Sequence, residues 1–229
     1  MTASFRTIGF PDHLFSIQDG SFDLEPRQVA SDTIFTSFVR AAGPVHMLWG
    51  CRLNLIDMER EAAQEFSSFR ARVGGQVTLF TLRVPGHVLP LGAHAGFSES
   101  SPPYVITGTT ILQGGSTGLV LETAPRYAQA IMIDFGAESA GDVVLKHGDK
   151  FGLGGNLYMS VAVVTADASG HARVPFRWKL WKGAAVGDIV SFQNPTCRVQ
   201  LRQANDGLQE LTPPYIAKAG FSAIEVPYV

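Results

Sequence analysis

Turn-forming residues interrupt this chain at short intervals, and this constrains the fold more than any other feature. The 229 residues include 24 glycines and 13 prolines. Between them lie short apolar groups rich in valine, isoleucine, threonine and phenylalanine, which favour strands over helices. The pattern predicts a mainly β protein, a β-sandwich or barrel, with a second β-rich part later in the chain.

One segment departs from the strand pattern and predicts a flanking amphipathic helix over about residues 57–73. Its apolar residues recur at steps of three and four, which places them on one helical face. They are Leu55, Met58, Ala62, Phe66, Phe69 and Val73. Asp57 suits the N-cap, and Arg70 and Arg72 lie in the last turn, where the helix dipole favours positive charge. The glycine pair 74–75 supplies the stop.

Two patterns in the second half predict turns. The apolar runs 157–164 and 172–180 are joined by the turn sequence 167–170, which predicts an antiparallel hairpin. A Gly-Asp pair occurs at 148–149 and again at 187–188, each time before a short apolar run. We interpret both pairs as turns that begin strands, because glycine and aspartate suit turn geometry. An internal repeat is the alternative.

The charge balance argues against several classes of function. Lysine and arginine number 18 against 20 aspartates and glutamates, a net charge of −2. A nucleic-acid binder usually has a basic excess, so we expect no sequence-specific nucleic-acid partner. Charged residues make up 17% of the chain, against an average of about 25%, so much of the surface is suited to burial against neighbours. Prolines and glycines break the least charged stretch, residues 84–121, so we expect no membrane anchor.

We expect no cofactor, no metal and no enzymatic activity. The six histidines lack the spacing of zinc ligands, and Cys51 and Cys197 are expected to be free thiols. Asp134, Glu138 and Asp142 are interpreted as solvated loop acids. The alternative for these three acids is a glycan-degrading enzyme, which needs two carboxylates across a cleft.

Two tryptophans are the remaining candidates for a binding role. Trp178 and Trp181 are three residues apart, so on a strand they would face opposite sides. One would then lie in the core and the other would be exposed, where it would suit a sugar or a protein partner. The sequence leaves this choice of partner open.

The order of elements along the chain is itself informative. Its landmarks are a strand with Trp49, the amphipathic helix, the glycine pair 74–75, a strand running to Pro85, the pair 148–149, a strand around Tyr158, the turn 167–170 and the segment 174–177. This order, over roughly residues 25–195, resembles that of tail-tip proteins of long-tailed bacteriophages and prophages.

The resemblance implies a structural subunit of the virion tail, the distal tail protein. Such a protein forms a homo-oligomeric ring, three- or six-fold, between the tail tube and the baseplate hub. Its partners would be the tail tube protein, the baseplate hub and the tape-measure protein, and it would be made in the host bacterial cytoplasm. Residues 1–90 would be the ring-forming part and residues 91–229 a second β-sandwich-like part, unless the two form one intertwined domain. The alternative is a β-sandwich receptor- or carbohydrate-binding module of the tail tip.

A ring subunit must present two different complementary patches. We place one of them in residues 84–121, where Glu99 is the only residue among Asp, Glu, Lys and Arg. Thr109 and Ser116 are the interface candidates within this stretch. Trp178 and Trp181 are the other interface candidates.

Overall fold

The chain divides into two compact units. The computed structural model describes residues 8–11, 16–26, 30–31, 40–41, 47–74, 78–84, 117–212 and 216–227. The first unit consists of Met1–Leu82 and Arg198–Val226, and the second of Arg83–Cys197 and Pro227–Val229. The second unit is therefore formed mainly by one continuous segment inserted between the two segments of the first.

The described part of the chain consists mainly of strands. In chain order its strands and α-helix are β1 (Ile8–Gly9), β2 (Ser16–Pro26), β3 (Ala30–Ser31), β4 (Arg40–Ala41), β5 (Met47–Met58), α1 (Arg60–Val73), β6 (Phe80–Arg83), β7 (Thr117–Val120), β8 (Ala130–Asp134), β9 (Val143–Leu145), β10 (Lys150–Leu153), β11 (Asn156–Ser160), β12 (Val164–Thr165), β13 (His171–Arg177), β14 (Ile189–Ser191), β15 (Thr196–Leu201), β16 (Gln209–Thr212) and β17 (Ile216–Glu225). A short 3-10 helix covers Ala137–Ser139. The prediction of a mainly β fold with one amphipathic helix is confirmed.

The first unit contains a seven-stranded sheet. Six of its strands follow the order β1-β6-β15-β17-β5-β2, and β16 pairs with β17. The long strand β5 is antiparallel to both of its neighbours, β2 and β17. Strands β15, β16 and β17 come from the last 34 residues of the chain, which the sequence-based division placed in the second part. The sheet of the first unit is thus assembled from the two ends of the sequence.

Helix α1 begins three residues later than the predicted N-cap. Leu55, Asp57 and Met58 lie in strand β5 instead, so their prediction as part of the helix is wrong. The ladder explains the difference, because Leu55 pairs with Ala219 and Met58 pairs with Ala217 on β17. The backbone of this segment pairs with a distant strand of the sheet. An apolar periodicity of three and four residues gives no sign of such pairing. The N-cap is Glu59, whose side chain makes no capping hydrogen bond.

The remaining features of the helix are confirmed. Its buried residues are Ala62, Phe66, Phe69 and Val73. Gly74 ends the helix in the left-handed conformation, with φ 60°, and its N–H donates to the carbonyl of Arg70. Glycine adopts this backbone conformation without the steric penalty that other residues incur.

A cluster of five phenylalanines joins the helix to the sheet. Phe66 and Phe69 project from α1, and Phe10, Phe80 and Phe221 meet them, with ring centroids between 5.3 and 6.5 Å apart. Several pairs meet edge to face, a favourable arrangement for aromatic rings. The cluster is the hydrophobic contact that fixes the helix on its sheet.

The second unit is built around a closed six-stranded barrel. Its strand order is β10-β11-β13-β8-β7-β14, and β14 closes the circle by pairing with β10. Strands β11 and β13 are antiparallel, as the predicted hairpin requires, but Val164, at the end of the predicted first strand, pairs with Leu145 of β9 instead. The barrel core is aromatic at its centre, where Phe151 contacts the rings of Phe176, Phe192 and Tyr158, and all four side chains are buried.

The two Gly-Asp pairs form matching turns, as interpreted from the sequence. In each turn the aspartate accepts a hydrogen bond from the backbone N–H three residues earlier, at 2.7 Å for Asp149 and 2.8 Å for Asp188. The preceding glycines, Gly148 and Gly187, have φ of 87° and 86°. Such positive φ values at the third turn position favour glycine. Strands β10 and β14 follow these two turns.

The position of Phe66 in the aromatic cluster generates a prediction about stability. Phe66 is 2% exposed, so Phe66→Asp buries an unpaired charge and should lower the free energy of unfolding by about 3–5 kcal/mol. The control Glu59→Lys changes an exposed charge at the helix start and should cost less than about 1 kcal/mol. Urea melts of both variants measure the difference. Equal losses would contradict the assigned helix face.

Burial of Cys51 generates a prediction about pH. Both cysteines are free and buried, and burial raises the pKa of the Cys51 thiol from 9.0 to about 12. Because the unfolded thiol ionises first, the stability that Cys51 contributes is complete below pH 9 and declines as the pH rises toward 12. Between about pH 8.5 and pH 10, the unfolding free energy should fall by roughly 1 kcal/mol more in the wild type than in Cys51→Ala.

The test is a set of urea melts at the two pH values. Cys51→Val, which also removes the ionisable group, should show the same reduced pH dependence as Cys51→Ala. An unchanged pH dependence in both variants would contradict the buried neutral thiol.

Candidate functional site

Two loops at one end of the barrel form the candidate site. The first connects β7 to β8 and the second connects β13 to β14. Ala124 and Ala184 exchange backbone hydrogen bonds of 2.9 Å, and the N–H of Tyr127 donates to the carbonyl of Leu180 at 2.9 Å. The N–H of Leu180 donates in turn to the carbonyl of Ala128 at 2.9 Å. The loops are therefore fixed to each other by a ladder of their own.

The backbone of both loops is held in an uncommon conformation. Tyr127 has φ 73° and Trp178 has φ 69°. For residues with a side chain, this left-handed region costs roughly 1–2 kcal/mol. Strain of this kind persists only where surrounding bonds enforce it, and it concentrates at functional sites. Both loops are therefore candidates for the functional surface of this unit.

Cations lie over the faces of both strained aromatic residues. The guanidinium carbon of Arg126 is 4.8 Å from the centroid of the Tyr127 ring, and the Lys179 Nζ is 5.9 Å from the same centroid. The guanidinium carbon of Arg177 is 4.9 Å from a ring centroid of Trp178. These distances are within the range of cation–π attraction. The rings therefore position cations at the surface.

We call this cluster the basic–aromatic patch. It consists of Arg126, Tyr127, Arg177, Trp178, Lys179 and the nearby Lys182. The four cations are exposed and the Tyr127 side chain is 49% exposed. A planar guanidinium held on a ring keeps its N–H edges available for carboxylate or phosphate groups. The patch is therefore suited to bind an anionic surface.

The structure corrects the prediction for the two tryptophans. Strand β13 ends at Arg177, so neither Trp178 nor Trp181 lies on a strand, and the expectation of opposite faces is wrong. The positive φ of Trp178 ends the extended conformation at that residue. Both side chains are half-buried. Trp181 packs against the barrel core, and its backbone N–H donates to the Tyr158 hydroxyl at 3.3 Å.

Thr109 and Ser116, the other two interface candidates, lie outside the described residues. Ser116 also stands in the spacing Gly-x-Ser-x-Gly, between Gly114 and Gly118, which is typical of a hydrolase nucleophile. A nucleophile of that class is followed by a helix, whereas here strand β7 follows. The spacing therefore does not have the structural context of that class of enzyme.

The three candidate acids lie at the end of β8 and in the connection that follows it, with Asp134 as the last residue of the strand. Asp134 accepts a hydrogen bond of 2.9 Å from the N–H of Gly136, and its Oδ1 is 3.9 Å from the Nε2 of His171. Glu138 and Asp142 are exposed. Glu138 and Asp142 are therefore exposed loop acids, as interpreted, whereas Asp134 is a half-buried strand residue and that interpretation is wrong for it. Among the residues that the structure describes, no group of three or more His, Cys, Asp or Glu side chains is placed to hold a metal ion.

Sequence reasoning missed Arg126, Tyr127 and Lys179. The available signal was the alternation of basic and aromatic residues in Arg126-Tyr127 and in Arg177-Trp178-Lys179. Only the hydrogen bonds between the two loops reveal that these segments, about fifty residues apart, form one surface.

Neither protein-family models nor curated proteins give a match for this chain. In the described ranges, no helix has both the length and the apolar composition needed to cross a membrane. The function is therefore inferred from the residues and the geometry above.

The strained backbone of Tyr127 generates a prediction. Tyr127→Ala removes the ring and keeps the unfavourable φ, whereas Tyr127→Gly removes both. Tyr127→Gly should therefore be more stable than Tyr127→Ala by about 1 kcal/mol, although glycine is usually the less stable of the two in regular structure. Thermal and urea melts measure the order. If Tyr127→Ala is the more stable variant, the loop does not store strain at this residue.

Proposed function

We propose that this chain is a structural subunit of a bacteriophage tail, the distal tail protein that forms a ring between the tail tube and the baseplate hub. In this role it has no catalytic activity and acts through contacts with its own copies and with neighbouring tail proteins. The observation that carries the proposal is the basic–aromatic patch. Arginine, tyrosine and tryptophan are the residues most enriched at the energetic centres of protein interfaces.

The order of elements supports the same proposal. Strand β5 with Trp49, helix α1 and strand β6 follow one another in the order on which the resemblance to tail-tip proteins rests. The closed barrel adds a rigid body, and function is often placed on loops that a rigid scaffold positions. The loops of the basic–aromatic patch fit this description, because backbone hydrogen bonds hold them together.

A glycan-binding module of the tail tip is the second candidate. The half-exposed ring of Tyr127 favours it, because sugars stack on exposed aromatic faces in many binding sites. The cations that lie over the rings of Tyr127 and Trp178 count against a neutral sugar, since they occupy part of the stacking surface. We therefore place the ring subunit first.

The test is to locate the chain in phage particles. Particles purified from the bacterium that encodes it should contain the chain by mass spectrometry, and cryo-electron microscopy should show three or six copies in a ring below the tail tube. Absence of the chain from purified particles would refute the tail assignment. Saturable binding of the isolated monomer to a glycan array, without a ring in the particle, would favour the second candidate.

A further inference from the structure

The barrel has two ends, and its connections to the first unit belong to one of them. Every ladder within the barrel is antiparallel, so neighbouring strands run in opposite directions. Strand β7 therefore begins at the same end at which β14 finishes, and the chain enters and leaves the barrel there. The β7–β8, β10–β11 and β13–β14 connections lie at the opposite end. This opposite end carries the basic–aromatic patch, and we call it the basic end.

The basic end has a surplus of positive charge. Its exposed cations are Arg126, Arg177, Lys179 and Lys182. Its exposed acids are Glu122 and Asp188, and the Asp188 carboxylate accepts the N–H of Ala185 at 2.8 Å. The chain as a whole has a net charge of −2, so the surplus is a local feature. A local surplus of this kind attracts a partner of opposite charge.

Apolar side chains lie beside the cations of the basic end. Tyr127 and Val186 lie in its two long loops and are 49% and 63% exposed. Ile189, the first residue of β14, is 46% exposed. An apolar area bordered by charged residues is the usual composition of a protein interface.

Two unfavourable features of Trp178 indicate that its loop is shaped for a partner. Its φ is 69°, and its Nε1 is buried with no hydrogen-bond acceptor in the part of the chain that the structure describes. Unfavourable conformations and unpaired buried donors are rare in folded proteins and concentrate at functional sites. The hydrogen bonds between the two loops hold this arrangement in place. Cations fixed in this way lose little conformational entropy when a partner binds.

A shallow groove beside the patch adds room for a side chain of the partner. It has a volume of about 230 Å³ and lies between the β7–β8 loop and the strands β8 and β13. Pro125 and Ala128, on either side of the Arg126-Tyr127 pair, line it. Its charged residues, Glu122 and Arg173, are one acid and one cation. The groove therefore adds apolar contact to the site and no net charge.

We infer that the basic end docks on an acidic surface of a different tail protein, an inference that rests on the proposed function. The guanidinium groups of Arg126 and Arg177 suit paired hydrogen bonds to carboxylates of that surface. The apolar side chains beside them are buried in the same contact. The charges supply orientation and association rate, and burial of the apolar area supplies affinity.

A second copy of the chain does not offer the matching surface. The exposed acids of the barrel connections include Glu138, Asp142 and Asp167. They belong to the end at which the chain enters and leaves the barrel, so that end is not a free face. The proposed function also assigns ring formation to residues 1–90, which leaves the basic end for a protein of another kind.

An acidic protein surface also fits the basic end better than a nucleic acid or a neutral sugar does. Single-stranded nucleic acids stack their bases on open aromatic faces, and sugars use the same faces. Here cations lie over the rings of Tyr127 and Trp178. Carboxylates pair with these cations where they already lie and do not need the faces to be open.

The first test measures binding of the full chain to a labelled polyglutamate peptide by fluorescence anisotropy. At low salt the chain should bind polyglutamate at least tenfold more tightly than a polyglutamine peptide of the same length. High salt should weaken the binding, because it screens the exposed charges.

Matched charge reversals locate the contact. Arg126→Glu and Lys179→Glu change one cation in each loop of the patch, and each should weaken polyglutamate binding at least fivefold. Lys146→Glu makes the same charge change at the other end of the barrel, where Lys146 is exposed, and should weaken binding less than twofold. Circular dichroism confirms that the three variants are folded.

The second test identifies the neighbour of the patch in phage particles. Tyr127→p-benzoylphenylalanine places a photo-crosslinker in the exposed ring of the patch. Irradiated particles should contain a cross-link from this position to an acidic segment of a different tail protein. Adding Lys179→Glu should reduce the yield of that cross-link at least fivefold.

Three outcomes would overturn the inference. They are equal losses of polyglutamate binding in all three charge reversals, a cross-link from position 127 to a second copy, and tighter binding of an oligothymidylate that Arg126→Glu abolishes. The last outcome would assign the patch to nucleic acid. A ring in particles without a cross-link to another protein would refute this contact and leave the proposed function standing. Selective binding of polyglutamate by a chain absent from particles would refute the proposed function and leave the preference of the basic end for acidic polypeptides standing.

Discussion

Closure of the barrel by strand β14 is the constraint on which the candidate site depends. This strand has three residues, yet it pairs with β7 on one side and with β10 on the other. Val190 at its centre is fully buried, and so is Phe192 immediately after it. The connection that precedes β14 carries Trp178, Lys179 and Lys182 of the basic–aromatic patch. The pairing of β14 with β7 and β10 therefore fixes the C-terminal end of that connection.

Aromatic contacts inside the barrel also hold the end of strand β14 in place. Phe135 stacks on Phe192 with centroids 5.0 Å apart, and Phe192 contacts Phe151. Phe135 follows strand β8, which runs from one end of the barrel to the other. A packed interior of this kind keeps both ends of the barrel in a defined geometry. Five phenylalanines fix helix α1 on its sheet in the first unit in the same way.

Local patterns in the sequence predicted the features that local chemistry decides. The β-rich character, the buried face of α1, its glycine stop and the Gly-Asp turns all depend on neighbouring residues, and all are present. The start of the helix was wrong because Leu55 and Met58 pair with β17, about 160 residues away. The tryptophans were misplaced because Trp178 adopts a backbone conformation that its residue type disfavours. The patch itself joins Tyr127 to Leu180 by tertiary hydrogen bonds, for which short-range periodicity has no signal.

The entry and exit of the inserted segment lie side by side. Strands β6 and β15 are neighbours in the sheet, and just beyond them the N–H of Val84 donates to the carbonyl of Pro195 at 3.1 Å. A segment whose two ends are this close can be lengthened, shortened or exchanged without moving the strands that hold it. The second unit is in this sense an insertion that can be replaced as a whole. Mutation can change the inserted segment in this way while the first unit keeps its own sheet, helix and aromatic cluster.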